Sequence, residues 1–245
     1  MKVGLFVPCY IDQFYPQVAI ATLQLLERLG VEVEYPLNQT CCGQPMANSG
    51  MEQEALPAMR LFVQNFSSFD YIVAPSGSCV YHIRKHFDML PQTDALCYVR
   101  SHTFELCEFL TDILKISYLD AYFPYKTGLH QSCHSQRGLR LSQASEIVGE
   151  PFSKVRQLLE MVQGIHLVEL RRADECCGFG GTFAVLEEAV SVKMGLDRIA
   201  DHIAAGAQVI TGTDTSCLMH LEGLLKRQKS DVRVMHIAQI LNSRL

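Results

Sequence analysis

At 245 residues the chain has room for one large domain or two small ones, and 48% hydrophobic against 19% charged residues excludes a disordered chain. A formal charge of −5 with no basic block argues against nucleic acid or an anionic membrane surface as the main partner. No apolar run reaches the roughly 18 residues that a membrane helix needs.

Taken in chain order, Val3–Val7 reads as a first β-strand, and its apolar stretch is too short for a signal peptide. That predicts a cytoplasmic protein whose thiols stay reduced. Ala19–Leu29 places apolar residues at helical spacing, Val31–Tyr35 is β-rich, Glu52–Phe66 is again helical, and Tyr71–Ala74 is a strand. Leu96 to Leu114 reads as a strand and a Leu-rich helix, with Cys97 inside the strand and Cys107 on an apolar helix face, both as core thiols. Tyr122-Phe123-Pro124 breaks the pattern. Strands follow at Thr127–His130, Ile165–Leu170 and Gln208–Thr211, and Val232 to Leu245 closes as the first half does. Short buried strands alternating with helices predict an α/β fold with mostly parallel sheets. Right-handed crossovers then bring all strand carboxyl ends to one edge, where such sheets hold ligands.

Eight of the ten cysteines repeat in order. Cys9, Cys41-Cys42-Gly43 and Cys79 are followed by Cys133, Cys176-Cys177-Gly178 and Cys217, each set running single, pair, single. Cys79 and Cys217 each follow an apolar strand and a small polar turn, and each has a His three residues on. This is an internal repeat and predicts two similar lobes, residues 1–120 and 121–245, each a mostly parallel sheet flanked by helices. So many cysteines in a reducing compartment point to metal or redox chemistry rather than disulfides. The eight patterned cysteines (Cys9, Cys41, Cys42, Cys79, Cys133, Cys176, Cys177 and Cys217) are therefore the candidate metal and cofactor ligands. Four thiolates suit tetrahedral zinc, whereas vicinal ligands fit more easily onto different irons of a cluster, so an iron–sulfur cluster is favoured and zinc stays open. No Gly-x-Gly-x-x-Gly follows a strand, so no nicotinamide or flavin site is expected.

Gln39-Thr40-Cys41-Cys42-Gly43-Gln44-Pro45, Glu175-Cys176-Cys177-Gly178-Phe179-Gly180-Gly181 and Thr213–His220 resemble the cysteine-rich CCG-domain proteins. That family includes the cysteine-rich subunit of heterodisulfide reductase and the iron–sulfur subunits of glycolate and glycerol-3-phosphate oxidation. The resemblance implies an oxidoreductase component of a multi-protein system oxidising L-lactate, a small 2-hydroxy acid, to pyruvate. The implied partners are a ferredoxin-type iron–sulfur subunit and a further small subunit. The family's last motif has two cysteines where each half here has one. Ser76 and Asp214 stand at the missing place in one alignment; in the other, His82 and His220 replace the later cysteine. Four thiols per half suit conventional 4Fe-4S clusters or zinc better than five-thiolate clusters. Heterodisulfide-type thiol chemistry and a non-enzymatic zinc scaffold are the rival functions. His134, beside Cys133, is a further ligand candidate, and Arg137, Arg171 and Arg172 are solvated charges or partners for an anion.

Overall fold

The computed structural model describes residues 1–244. Strands β1 (Lys2–Leu5), β2 (Glu32–Glu34), β3 (Tyr71–Ala74) and β4 (Thr103–Glu105) form one sheet in the order β2-β1-β3-β4. Strands β5 (Lys126–Leu129), β6 (His166–Leu167), β7 (Val209–Gly212) and β8 (Arg233–His236) form a second in the order β6-β5-β7-β8. Every pairing is parallel, with Gly4 opposite Ile72 in one sheet and Gly128 opposite Ile210 in the other. The two lobes expected from the repeated cysteines are thus two sheets of identical topology. In each, chain order reverses between the first and third strands, so the crevice opens at their carboxyl ends.

The central strands are buried on both faces, as parallel strands flanked by helices must be: Val3, Leu5, Ile72, Val73, Val209 and Ile210 are all inaccessible or nearly so. Edge strand β6 is only two residues long, shorter than the Ile165–Leu170 run suggests, and its side chains are half-buried or exposed. The helices Pro16–Arg28 and Ile237–Leu241 pack together across the two sheets. One apolar core therefore runs through both halves, joining Leu25, Leu26 and Leu110 to Leu158, Ile240 and Leu241. The division near residue 120 separates strands but does not separate cores.

One segment departs from the sequence reading. Asp94–His102, which contains Cys97, is a helix rather than a strand, and Cys97 is exposed rather than core. Thr93 starts it by accepting the Leu96 N–H on its side chain at 3.3 Å, and Leu96 and Val99 face inward while Cys97 faces out. The strand comes afterwards, at β4. Cys107 is fully buried as expected.

Glu105 ends β4 and caps the following turn, accepting the Cys107 and Glu108 N–H groups on one oxygen while the other has no partner. Burial pushes its carboxyl up to about 8. A carboxyl whose folded pKa lies above its unfolded value stabilises the fold below the unfolded pKa, near 4.5, and loses that contribution as pH rises through 8. Glu105→Gln should remove a fall in stability on the order of 3 kcal/mol between pH 5 and 9. Urea unfolding of both proteins across that range is the check, and parallel pH profiles would count against this reading.

Candidate metal centre

In the first half Cys9 opens a short helix after β1, and Cys79 lies in the first turn of the Gly77–His86 helix after β3. Ser76 caps that helix by accepting the Cys79 N–H at 3.4 Å. The loop bearing Cys41-Cys42 is pinned to the end of β1 by Gln39. Its Oε1 accepts the Val7 N–H at 2.7 Å, and its Nε2 donates to the Leu5 carbonyl at 3.0 Å. Gly43 then turns the chain with φ 91°, in the left-handed region, and directs its N–H to Cys41 Sγ at 3.4 Å. Cys9 Sγ and Cys41 Sγ lie 3.6 Å apart.

The second half repeats the arrangement. Cys133 follows β5, Cys217 sits in the first turn of the Thr215–Arg227 helix, and the Gly178 N–H reaches Cys176 Sγ at 3.4 Å. The Phe179 N–H adds a contact to Cys177 Sγ at 3.5 Å. Gly178 has φ 86°, and a Cβ there would stand 2.6 Å from the Ser191 carbonyl oxygen, so only glycine fits.

The two sets of thiols share one crevice. A cavity of about 420 Å³ between the lobes is lined by Cys9, Cys42 and Cys79 from one half and Cys133, Cys176, Cys177 and Cys217 from the other. Cys41 lies beside it against Cys9. The mouth is bridged by a 2.8 Å hydrogen bond between the Ser49 and Thr182 hydroxyls and by the Tyr10 and Phe179 rings, 5.9 Å apart edge to face.

Ser76 and Asp214, three residues before Cys79 and Cys217, meet each other. Ser76 Oγ donates to Asp214 Oδ1 at 3.0 Å, and the Ser78 N–H donates to the same oxygen at 2.8 Å. Ser132 and Ser135 donate to Oδ2. Gly77 makes this approach possible, since a Cβ there would collide with Ser135 Oγ. The positions where a further cysteine would stand are therefore consumed in joining the lobes.

Within each set the thiols hydrogen-bond in a chain. Bonds from Cys42 and Cys9 hold Cys41 well below the ordinary thiol range, and bonds from Cys133 and Cys177 do the same for Cys176. The flanking thiols are pushed up, Cys9 and Cys133 by those same bonds and by burial, Cys42 and Cys177 likewise. In each half one thiol is thus held low and its neighbours high, and a cation among the sulfurs would favour deprotonation of the rest. Thiolates about 2.3 Å from a tetrahedral zinc lie roughly 3.8 Å apart, close to the Cys9–Cys41 separation. The cavity, in turn, offers more space than single ions need. The donor set and its geometry fit a thiolate-bound metal or cluster.

The remaining candidates divide. His82 is buried against His86 and Phe87, and burial lowers it to about 4. His220 Nε2 lies 3.3 Å from the Ser191 carbonyl. His134 packs on Tyr81 with Nδ1 3.9 Å from Cys133 Sγ. Arg137 is paired with Glu146, and Arg172 with Glu175. His130, read from sequence only as the end of a strand, lines the cavity; its ring nitrogens and the sulfurs of Cys177 and Cys217 include ligand atoms all within 4.8 Å of one another. Burial lowers His130 to about 4, which keeps it neutral as a metal ligand must be. Its place three residues before Cys133, where Phe6 precedes Cys9, was the signal available in the sequence.

The cysteine-rich domain family (CCG) matches residues 3–84 and 127–222, once in each half. Lactate utilization protein A of Geobacillus kaustophilus is 41% identical over 248 residues, with all of both chains covered. The protein of the same name from Bacillus subtilis is 40% identical over 248 residues, again with full coverage. Among solved structures, a hypothetical protein from Helicobacter pylori superposes with a TM-score of 0.62 at 13% identity, over 98% of this chain and 48% of that one, a likeness of fold. The chain spans about half the length of that structure. The chain belongs to the CCG cysteine-rich domain family, in the group with the lactate utilization proteins A.

Three substitutions test the glycine turn and the carboxylate joint. Gly178→Ala should destabilise the fold by about 2 kcal/mol or more, while Gly181→Ala, with open space at its Cβ but φ 64°, should cost no more than about 1–2 kcal/mol. Asp214→Ala leaves several buried donors unpaired and should cost about 2–4 kcal/mol in urea unfolding. An unchanged midpoint for either Gly178→Ala or Asp214→Ala would contradict the roles assigned to them.

Proposed function

We propose that this member of the CCG family is the iron–sulfur redox component of a multi-protein L-lactate oxidation system, working with a ferredoxin-type subunit and a further small subunit in the cytoplasm. The relatives named for lactate utilization supply the substrate, and the cysteine geometry supplies the role. Oxidation of lactate to pyruvate releases two electrons and two protons, so its carriers must hold electrons singly or in pairs. Two thiolate sites, one in residues 1–120 and one in 121–245, answer that need within one crevice. A bound cluster supplies reversible one-electron uptake at a potential set by ligation, hydrogen bonding and burial.

The chain's own residues do the rest. Cys41 and Cys176 are the thiols most readily ionised, with the Gly43 and Gly178 N–H groups directed at their sulfurs. Cys42 and Cys177, almost inaccessible, close the sites from the protein side. The cavity shared by both thiol sets is the single observation that carries this reading. A second reading, a zinc-bound scaffold in the same system, is favoured by the 3.6 Å Cys9–Cys41 separation, which matches a tetrahedron edge.

Protein purified without oxygen should be brown, with iron and acid-labile sulfide in equal amounts. Cys42→Ser and Cys177→Ser should each lose metal and cut lactate-dependent electron transfer in the assembled system by at least about 100-fold. A colourless, zinc-loaded protein that still supports lactate oxidation would overturn the redox role.

A further inference from the structure

The two halves share topology and cysteine order, yet what lies behind their thiols differs. In the first half Phe6, three residues before Cys9, packs against Phe62 at 4.9 Å and Phe66 at 5.8 Å between ring centroids. Gly4 lies under Phe66 and Phe69, and a Cβ on it would press into both rings. In the second half the corresponding glycine, Gly128, lies under His202, and His130 stands where Phe6 does. Arg198 precedes His202 by one helical turn, as Phe62 precedes Phe66. An apolar trio is replaced by His130, Arg198 and His202, all inaccessible or nearly so.

This replacement is costly as it stands. Both ring nitrogens of His130 and of His202, and Nε and Nη2 of Arg198, have no hydrogen-bond partner among the described residues. Each such buried group has lost its water without gaining a hydrogen bond in return. Arg198 is anchored by its Nη1, which donates to the Arg172 carbonyl and lies 3.3 Å from Asp201. His130 has no such anchor. It lines the cavity, and it offers a nitrogen to the site of Cys177 and Cys217, where the ligand atoms lie within 4.8 Å of one another. A bond to a metal would use one of its free nitrogens.

We propose that His130 is a ligand to the metal group of the second half, so that this half holds a thiolate–imidazole centre and the first half an all-thiolate one. The inference rests on the reading that the cysteines hold metal, whether as a cluster or as zinc. If His130 takes one of four coordination places, one of that half's four thiols stays outside the centre, which then carries one negative charge fewer than the all-thiolate one. If the groups are clusters, the second-half centre is the easier of the two to reduce, and electrons entering the crevice collect there.

The test uses the full chain with histidine labelled in 15N, reconstituted without oxygen with ferrous iron and sulfide and, separately, with zinc. Pulsed electron paramagnetic resonance of the reduced iron form should show one strongly coupled nitrogen, or zinc-edge X-ray absorption of the zinc form should show imidazole scattering. His130→Ala should abolish that signal and the metal of the second half while the first half keeps its own. His130→Cys, which offers a sulfur in place of nitrogen, should retain metal, lose the nitrogen signal and, in the iron form, move one reduction step to lower potential. Metal bound in both halves with no nitrogen signal in either form would overturn this inference alone. A chain that retains neither metal would overturn it together with the reading on which it rests.

Discussion

The arrangement depends on one buried carboxylate. Asp214 sits almost inaccessible where the two halves meet, and it is surrounded by donors from both of them. A carboxylate at such a place is tolerable only when hydrogen bonds replace the water it has lost. The Ser78 N–H from one helix start and the hydroxyls of Ser76, Ser132 and Ser135 supply those bonds. Because the two helices that begin near Asp214 carry Cys79 and Cys217 in their first turns, this knot sets how far apart the two thiol sets can be. The common apolar core beneath, from Leu25 and Leu26 to Ile240 and Leu241, resists sliding, while the polar knot fixes register.

Electrostatics and topology then act together. The switch point of a parallel sheet gathers loop residues from distant parts of the sequence. The neighbouring thiols and the glycine N–H groups there favour negative charge on Cys41 and Cys176. With four thiols in each half, that assistance lowers one apiece, while its neighbours are raised. Rigidity comes from the backbone turns at Gly43 and Gly178, where a side chain would strain the turn or strike its neighbours.

Much of this could be read from the chain. The strands at Tyr71–Ala74 and near Val3, the Glu52–Phe66 helix despite Pro57 inside it, and the doubled cysteine order all follow from local periodicity and spacing. Pro57, sixth in its helix, withholds the N–H that the Gln53 carbonyl would accept, and the helix is held by its buried Ala55, Met59, Phe62 and Phe66. The Cys97 segment misled because Leu96, Val99 and Cys97 make an apolar run whose facing is decided by a cap at Thr93. The meeting of the two thiol sets was not legible, since periodicity describes each lobe and says nothing about how lobes dock. His130 was missed for a related reason. A lone histidine at a strand end is unremarkable until tertiary contacts show that the ring has no polar partner.

The Ser76–Asp214 contact also bears on symmetry. Were either half to pair with a copy of itself around a two-fold axis, the residue at this position would face its own duplicate, because such interfaces are self-complementary. Two aspartates so placed would repel each other, and two serines would leave the surrounding donors without an anion to share. An unlike pair requires that the two positions be encoded separately. The unlike pair makes the seam between the halves a specific, directional joint, and the difference between Phe6 and His130 carries the same asymmetry into the crevice.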